Sequence, residues 1–388
     1  VLPPGEYDGH GSMVRPPDTR PFDEWVARWP NARLYCIVAG GGREFAGSAM
    51  GTPALHEKVG NWIRFWADHI RKLGLEPEQV LLLLVDEPST PDQDSRILAW
   101  ARALQDAGTG VRIFEDPIHD PPQSADEEMI ARCDVLCPNR RLFLEGTPEY
   151  RDYYLSRTRG GDGGPRTGTE EDVRIGASPS YGLQAGKLGA TGLPHGPEKE
   201  RAGTHPRGRQ LMFYSCSGPA RLLDPYTYYR LQPWTCRRFG AVGSFYWAFG
   251  DGGGASSWNE YVTTRFAYTP LFLDETGVTA GKHMEAIREG VQDYEYFVML
   301  EALLARIESE GGPRDLRDRA RRLLESGPIQ VTEADGAGSF YWRDKKDRGM
   351  ADEVRRRILE VLEAAGKLGR WEAGRLGGKG QLVGWLVG

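Results

Sequence analysis

The run Leu81-Leu82-Leu83-Leu84-Val85, closed by Asp86-Glu87-Pro88, constrains this chain more than any other feature. Consecutive apolar residues without alternation read as a strand buried on both faces, the pattern of a parallel sheet covered by helices. Pro88 cannot donate to a sheet ladder and keeps Glu87 out of the right-handed helical region, so the strand stops at the two acids. Adjacent carboxylates at such a rim have two readings. Either Asp86 caps the next helix with Glu87 solvated, or the two form an acid/base pair at the mouth of a β/α barrel, where catalytic residues sit at C-terminal strand ends.

The rest of the chain repeats the pattern. Apolar runs at Leu34–Ala39, Val111–Phe114, Val135–Cys137, Leu211–Cys216 and Val242–Phe249 join Leu81–Val85 to make six predicted strands. Between them lie helical periods, the clearest over Leu55–Leu73 with Val59, Trp62, Trp66, Ile70 and Leu73 on one face and Gly74 to stop it. Strands alternating with helices imply a parallel sheet with crossover helices. The expected fold class is α/β, an eightfold (β/α)8 barrel of the TIM type lacking its first two βα units, because the first thirty residues carry no strand pattern. A doubly wound open sheet competes, but no G-x-G-x-x-G follows the first strand, and Gly40-Gly41-Gly42 opens no helix.

The expected organisation has five parts. Residues 1–155 carry the third to sixth barrel strands, and 156–209, rich in Gly, Arg, Thr and Pro, form a low-complexity insertion. The last two strands and a closing helix (Met284–Ile307, with Ile287, Val291, Tyr294 and Val298 buried) fill 210–310. A helical extension occupies 311–366, including Met350–Glu363 with Val354, Ile358 and Val361 inward, and 367–388 is a Gly-rich loose tail.

Charge and cysteine content exclude several functions. With 49 basic against 55 acidic residues and a net charge of −6, the chain has no electrostatic footprint for nucleic acid. No apolar run reaches the roughly 20 residues needed to cross a bilayer. Five cysteines, Cys36, Cys133, Cys137, Cys216 and Cys236, form no C-x-x-C pair and read as packing residues, so no metal and no cofactor is expected. The N-terminus shows neither Met nor a leader pattern, and the compartment and oligomeric state are not legible.

Parallel strands deliver their C-terminal ends to one mouth. The residues placed there include Asp86, Glu87, Glu115, Asp116, Asn139, Arg140, Tyr214, Ser217, Trp247 and Asp251, an acidic and aromatic set with only His119 nearby. Neither Ser215 nor Ser217 sits in a G-x-S-x-G elbow, and metal hydrolysis lacks histidine ligands. Carboxylate chemistry on a glycan remains. Neighbouring residues of a strand point to opposite sides, so Asp86 and Glu87 fit poorly as the facing pair of a two-acid hydrolase. They fit substrate-assisted catalysis better. There a 2-acetamido oxygen attacks the anomeric carbon, one carboxylate holds the acetamido N–H, and its neighbour protonates the leaving oxygen and later activates water.

The segments LGLEPEQVLLLLVDEPS (73–89), VRIFEDP (111–117), DVLCPN (134–139), FYSCSGP (213–219), GAVGSFYWAFGDGGGASSWNEY (240–261) and AIREGVQDYEYFVML (286–300) resemble glycoside hydrolase family 123, retaining β-N-acetylgalactosaminidases, and bacterial relatives of that catalytic domain. The resemblance implies a barrel whose fourth strand ends in a catalytic Asp-Glu doublet, here Asp86 to position the acetamido group and Glu87 as acid/base. It also implies an upstream β-sandwich domain, absent from this sequence, and a periplasmic or secreted setting. Softer candidates carry two readings each: Trp247 and Trp258 as sugar platform or core, Tyr214 as an acetamido hydrogen-bond donor or a buried tyrosine bonded to backbone, and Glu115 and Asp116 as hydroxyl ligands or helix caps. Asn139 is read as a polar contact, and the charges of Arg288-Glu289 and Asp293-Glu295 as helix-face pairs. The expected partner is a terminal β-linked N-acetylhexosamine glycan. The alternatives are a non-catalytic carbohydrate-binding barrel and a glycosidase acting on a sugar without the acetamido group.

Overall fold

The structure is a computed structural model describing residues 2–158, 208–248 and 268–366. The chain opens with an antiparallel hairpin, β1 (Glu6–Tyr7) and β2 (Met13–Arg15), where no strand is expected, followed by helix α1 (Arg20–Arg28). Strand β3 (Tyr35–Val38) and the small hairpin β4 (Glu44–Phe45) and β5 (Ser48–Ala49) lead to helix α2 (Pro53–Lys72). Its start is set by Thr52, whose hydroxyl accepts the Leu55 N–H at 3.2 Å, and by Pro53 in the first turn. Gly74 ends it with a left-handed φ of +78°. Val59, Trp62, Trp66 and Ile70 are buried along one face, matching the sequence period.

Strand β6 (Val80–Leu83), helix α3 (Pro91–Asp106), strand β7 (Arg112–Glu115), helix α4 (Glu127–Arg132), strand β8 (Val135–Leu136) and helices α5 (Arg140–Glu145) and α6 (Pro148–Thr158) continue the alternation. The extended segment of β9 (Gln210–Leu211) and β10 (Phe213–Cys216) follows, then helix α7 (Leu231–Phe239) and strand β11 (Ser244–Trp247). Strands β3, β6, β7, β8 and β9 form one sheet in chain order, every neighbouring pair parallel. The β9–β10 segment carries the order onward, because β10 pairs in parallel with β11. All six expected strands are present, with no reversal of order between them.

The sheet is strongly curled. Two strands, β8 and the β9–β10 segment, lie between Phe114 of β7 and Phe245 of β11, yet their ring centroids are 5.8 Å apart. A flat sheet would hold side chains three inter-strand steps apart at about 14 Å. The inner face packs Leu81, Leu83, Phe114, Val135, Met212 and Tyr214 against one another. The outer face, including Val80, Leu82, Leu84, Ile113, Leu136, Leu211 and Phe213, packs on the helices with Trp62, Trp66 and Trp100. Both faces of β6 are therefore dry, as its unbroken apolar run requires.

A hairpin not expected from the sequence, β12 (Leu271–Asp274) and β13 (Gly277–Ala280), precedes helices α8 (Lys282–Glu310), α9 (Arg314–Ala334) and α10 (Met350–Gly366). In α10, Val354, Ile358 and Val361 are buried as expected. In α8 the buried residues are His283, Ala286, Ile287, Gly290, Asp293, Phe297, Leu300 and Ile307, whereas Val291 and Tyr294 are half-buried and Val298 is exposed. The true stripe includes an aspartate and a glycine, which a hydrophobic period passes over. A Cβ on Gly290 would stand 2.6 Å from the Arg230 carbonyl, so glycine is what lets α8 approach the π-helical turn Tyr226–Arg230.

Asp293 is not a helix-face partner. Its carboxylate accepts from Arg230 Nε at 2.9 Å, Trp234 Nε1 at 2.9 Å and Arg355 Nε at 2.5 Å, knitting three elements together. The boundaries of the expected insertion also move inward. Residues 156–158 complete α6, and the Arg209 guanidinium donates to the carbonyls of Cys133, Arg157 and Ala131 at 3.0–3.1 Å. The rest of that segment, the Trp258 candidate with Asp251, and the tail 367–388 lie outside the described residues.

Candidate active site

The C-terminal ends of the parallel strands open onto a cavity of about 650 Å³. Glu87, Asn139, Arg141, Glu145, Tyr214 and Ser217 line it. The curl of the sheet brings together residues that no local pattern links. Glu87 follows β6, Tyr214 lies on β10, and Tyr214 Oη donates to Glu87 Oε1 at 2.5 Å. Tyr214 is buried, so the reading in which it bonds only to backbone is set aside by this contact. Burial first, and then the adjacent Glu87 carboxylate, hold its phenol well above its ordinary pKa, so Tyr214 remains a proton-bearing donor.

Glu87 has a φ of +46°, one of two non-glycine residues with positive φ among the described residues. A left-handed backbone at such a residue costs on the order of 1–3 kcal/mol and persists only where its surroundings over-determine it. Two hydrogen bonds do so here. Glu87 N–H donates to Asp116 Oδ1 at 2.9 Å, and Ile118 N–H donates to the Pro88 carbonyl at 3.0 Å.

Asp86 is exposed and outside the cavity lining, and no hydrogen bond or ion pair reaches its side chain among the described residues. The structure thus places the two neighbouring acids differently, one in the cavity and one on the surface beside it. Helix α3 is not capped by Asp86. Thr90 does that, its hydroxyl accepting the Gln93 N–H.

Glu115 and Asp116 do not reach the cavity as hydroxyl ligands. The two-residue period of β7 places Glu115 on the helix-facing side with Ile113, where it is fully buried. Its Oε1 accepts the Leu84 N–H at 3.0 Å. Burial, with Asp116 adding to it, drives its pKa well above the carboxylate range. Asp116 is also buried, and desolvation followed by the charges of Asp86 and Glu87 pushes it up to about 8. Neither acid caps α4; Asp126 does.

Asn139 joins the site in two ways. Its backbone bridges Tyr214 in parallel, and its side chain caps α5 by accepting the N–H groups of Arg141 and Leu142 at 3.0 and 3.4 Å. Trp247 is half-exposed and is the register partner of Cys216, which lines the cavity, so its side chain leaves the sheet on the same side. His119, the histidine near the predicted rim, is buried against Asp94, with Nε2 3.2 Å from Oδ2. Arg140, at the same rim, is fully buried and donates to the carbonyls of Thr227 and Tyr228.

Sequence reasoning passed over Arg141 and Glu145, which pair at 2.7 Å within the cavity. Their i,i+4 spacing on α5 was the available signal. Among the described residues, no cluster of three or more His, Cys, Asp or Glu side chains is placed to hold a metal, and no helix is long and apolar enough to cross a membrane.

No family model matches the chain, and no curated protein matches it.

Proposed function

We propose that the chain is a glycoside hydrolase of the (β/α)8 type. In this reading it cleaves a terminal β-linked N-acetylhexosamine, N-acetylgalactosamine by its resemblance to family 123, with retention through the substrate's own acetamido group. One observation carries the reading: a carboxylate held by an unusual backbone at the C-terminal rim of a curled parallel sheet, hydrogen-bonded to a buried tyrosine inside a sugar-sized cavity. Strained non-glycine backbone gathers at working sites, which supports a chemical task for Glu87.

In this mechanism the acetamido oxygen forms a bond to the anomeric carbon as the glycosidic C–O bond breaks. Glu87 gives its proton to the departing oxygen, leaving a cyclic oxazoline-type intermediate. Glu87 then takes a proton from the water that opens the ring, which restores the starting state. Asp86, exposed beside the cavity, would accept the acetamido N–H at the rim. Tyr214 fixes the Glu87 carboxyl between these steps.

The position of Asp86 outside the lining favours a second reading, a glycan-binding barrel without turnover. Glu87→Gln decides between them. Turnover of an aryl β-N-acetylgalactosaminide should fall by about 10²–10⁴-fold, the usual worth of a positioned acid/base. An unchanged rate removes the assignment. Inhibition by a thiazoline analogue of the acetamido sugar supports participation by the substrate, and indifference to it favours a glycosidase acting on a sugar without that group.

A further inference from the structure

We infer that Asp116 is a positioning residue whose carboxyl, by accepting the Glu87 amide, fixes the left-handed turn that aims Glu87 at Tyr214. The inference rests on the acid/base reading of Glu87 and says how that residue is held.

Glu87 is constrained from two directions. Pro88 disfavours the right-handed helical region for the residue before it. The observed φ of +46° is also disfavoured for any residue bearing a Cβ. The turn must therefore be held from outside. Its anchors are the Asp116 carboxyl on the Glu87 N–H at 2.9 Å and the Ile118 N–H on the Pro88 carbonyl at 3.0 Å, both from the segment after β7. Immediately before Asp116, Glu115 holds the Leu84 N–H, three residues ahead of Glu87, at 3.0 Å. The end of β7 thus grips the end of β6 by two side-chain carboxyls in succession, beyond the last paired residues of the ladder, Leu83 and Phe114.

Other roles for Asp116 fail on position. It is 6% exposed and absent from the cavity lining, so a ligand bound there does not touch it. It caps no helix, since α4 begins on Asp126, whose side chain accepts the Met129 N–H at 3.0 Å. Among the described residues the buried carboxyl accepts from the Glu87 N–H, the backbone of the residue whose direction matters, with its own backbone N–H beside it. Loss of that acceptor leaves a half-buried N–H without a partner in a conformation already disfavoured, and the turn relaxes away from Tyr214.

The test compares Asp116→Ala with Asp116→Asn, which keeps an oxygen acceptor of the same reach. Three quantities are read on the full chain: kcat and KM for an aryl β-N-acetylgalactosaminide, hydrogen exchange at the Glu87 amide, and the melting temperature. Asp116→Ala should lower kcat about 10–100-fold, the scale of a misplaced catalytic group, and deprotect the Glu87 amide. KM should stay within about threefold, because no substrate contact is lost. Asp116→Asn should restore both kcat and protection. Full kcat and full protection in Asp116→Ala overturn the inference, as does an Asp116→Asn chain that melts normally but loses as much as the alanine variant. A wild-type chain with no turnover, in which Asp116→Ala still deprotects Glu87 and Asp116→Asn does not, refutes the hydrolase and leaves the positioning intact.

Discussion

Replacing Asp116 by Asn should make the protein more resistant to unfolding as pH rises, by an amount the burial of the carboxyl sets. The folded state pushes this group from its ordinary 3.8 up to about 8, by desolvation first and by the Asp86 and Glu87 charges second. A folded-state value above the unfolded one means the native protein binds the proton more tightly. The stabilising contribution is therefore complete below about 3.8 and is lost progressively as pH climbs to about 8. At roughly 1.4 kcal/mol per pH unit, the wild type forfeits on the order of 5 kcal/mol across that window, and the amide variant does not. Glu115, displaced in the same direction, titrates in both proteins and largely cancels in the difference. Urea unfolding of the two proteins at about pH 5, 7 and 9 measures it directly. The variant should gain steadily on the wild type up to about pH 8 and then hold its lead. A difference that stays flat from acid to alkaline pH would refute the reasoning, showing that Asp116 is solvated or paired in the folded protein.

Further outcomes follow from other contacts. Tyr214→Phe removes the donor to Glu87, and a hydrogen bond to a charged group of about 1.5–3 kcal/mol corresponds to a roughly 10–100-fold loss in kcat/KM. Its effect on stability should stay near 1 kcal/mol, since the half-exposed carboxylate regains water; steady-state kinetics and thermal melts read the two. Asp293→Ala leaves Arg230, whose side chain is 5% exposed, without its buried counter-charge. Global stability should fall by about 3–5 kcal/mol in chemical denaturation. Wild-type stability in that variant would show that Glu289 and Asp352, which also pair with Arg230, suffice alone.

The sequence by itself determined the six parallel strands, the long helix α2 and its glycine stop, and the rim at which Glu87 and Tyr214 emerge. Each of these is written in a local signal: an unbroken apolar run, a 3.6-residue stripe, a terminal glycine. Tertiary structure decided which acids face the cavity and which do not. Glu115 and Asp116 look equivalent in the chain, but β7 turns one toward the helices and the other toward the Glu87 amide. Asp86 and Glu87 look like a pair, but the turn at Glu87 separates them. Asp293 reads as a surface charge because its partners, Arg230, Trp234 and Arg355, are about 60 positions away in sequence. The physical reason is common to all three. A side chain's direction at the end of a strand, and the partner that satisfies a buried charge, depend on which distant backbone lies beside it. Only the curl of the sheet and the packing of its helices supply that neighbour.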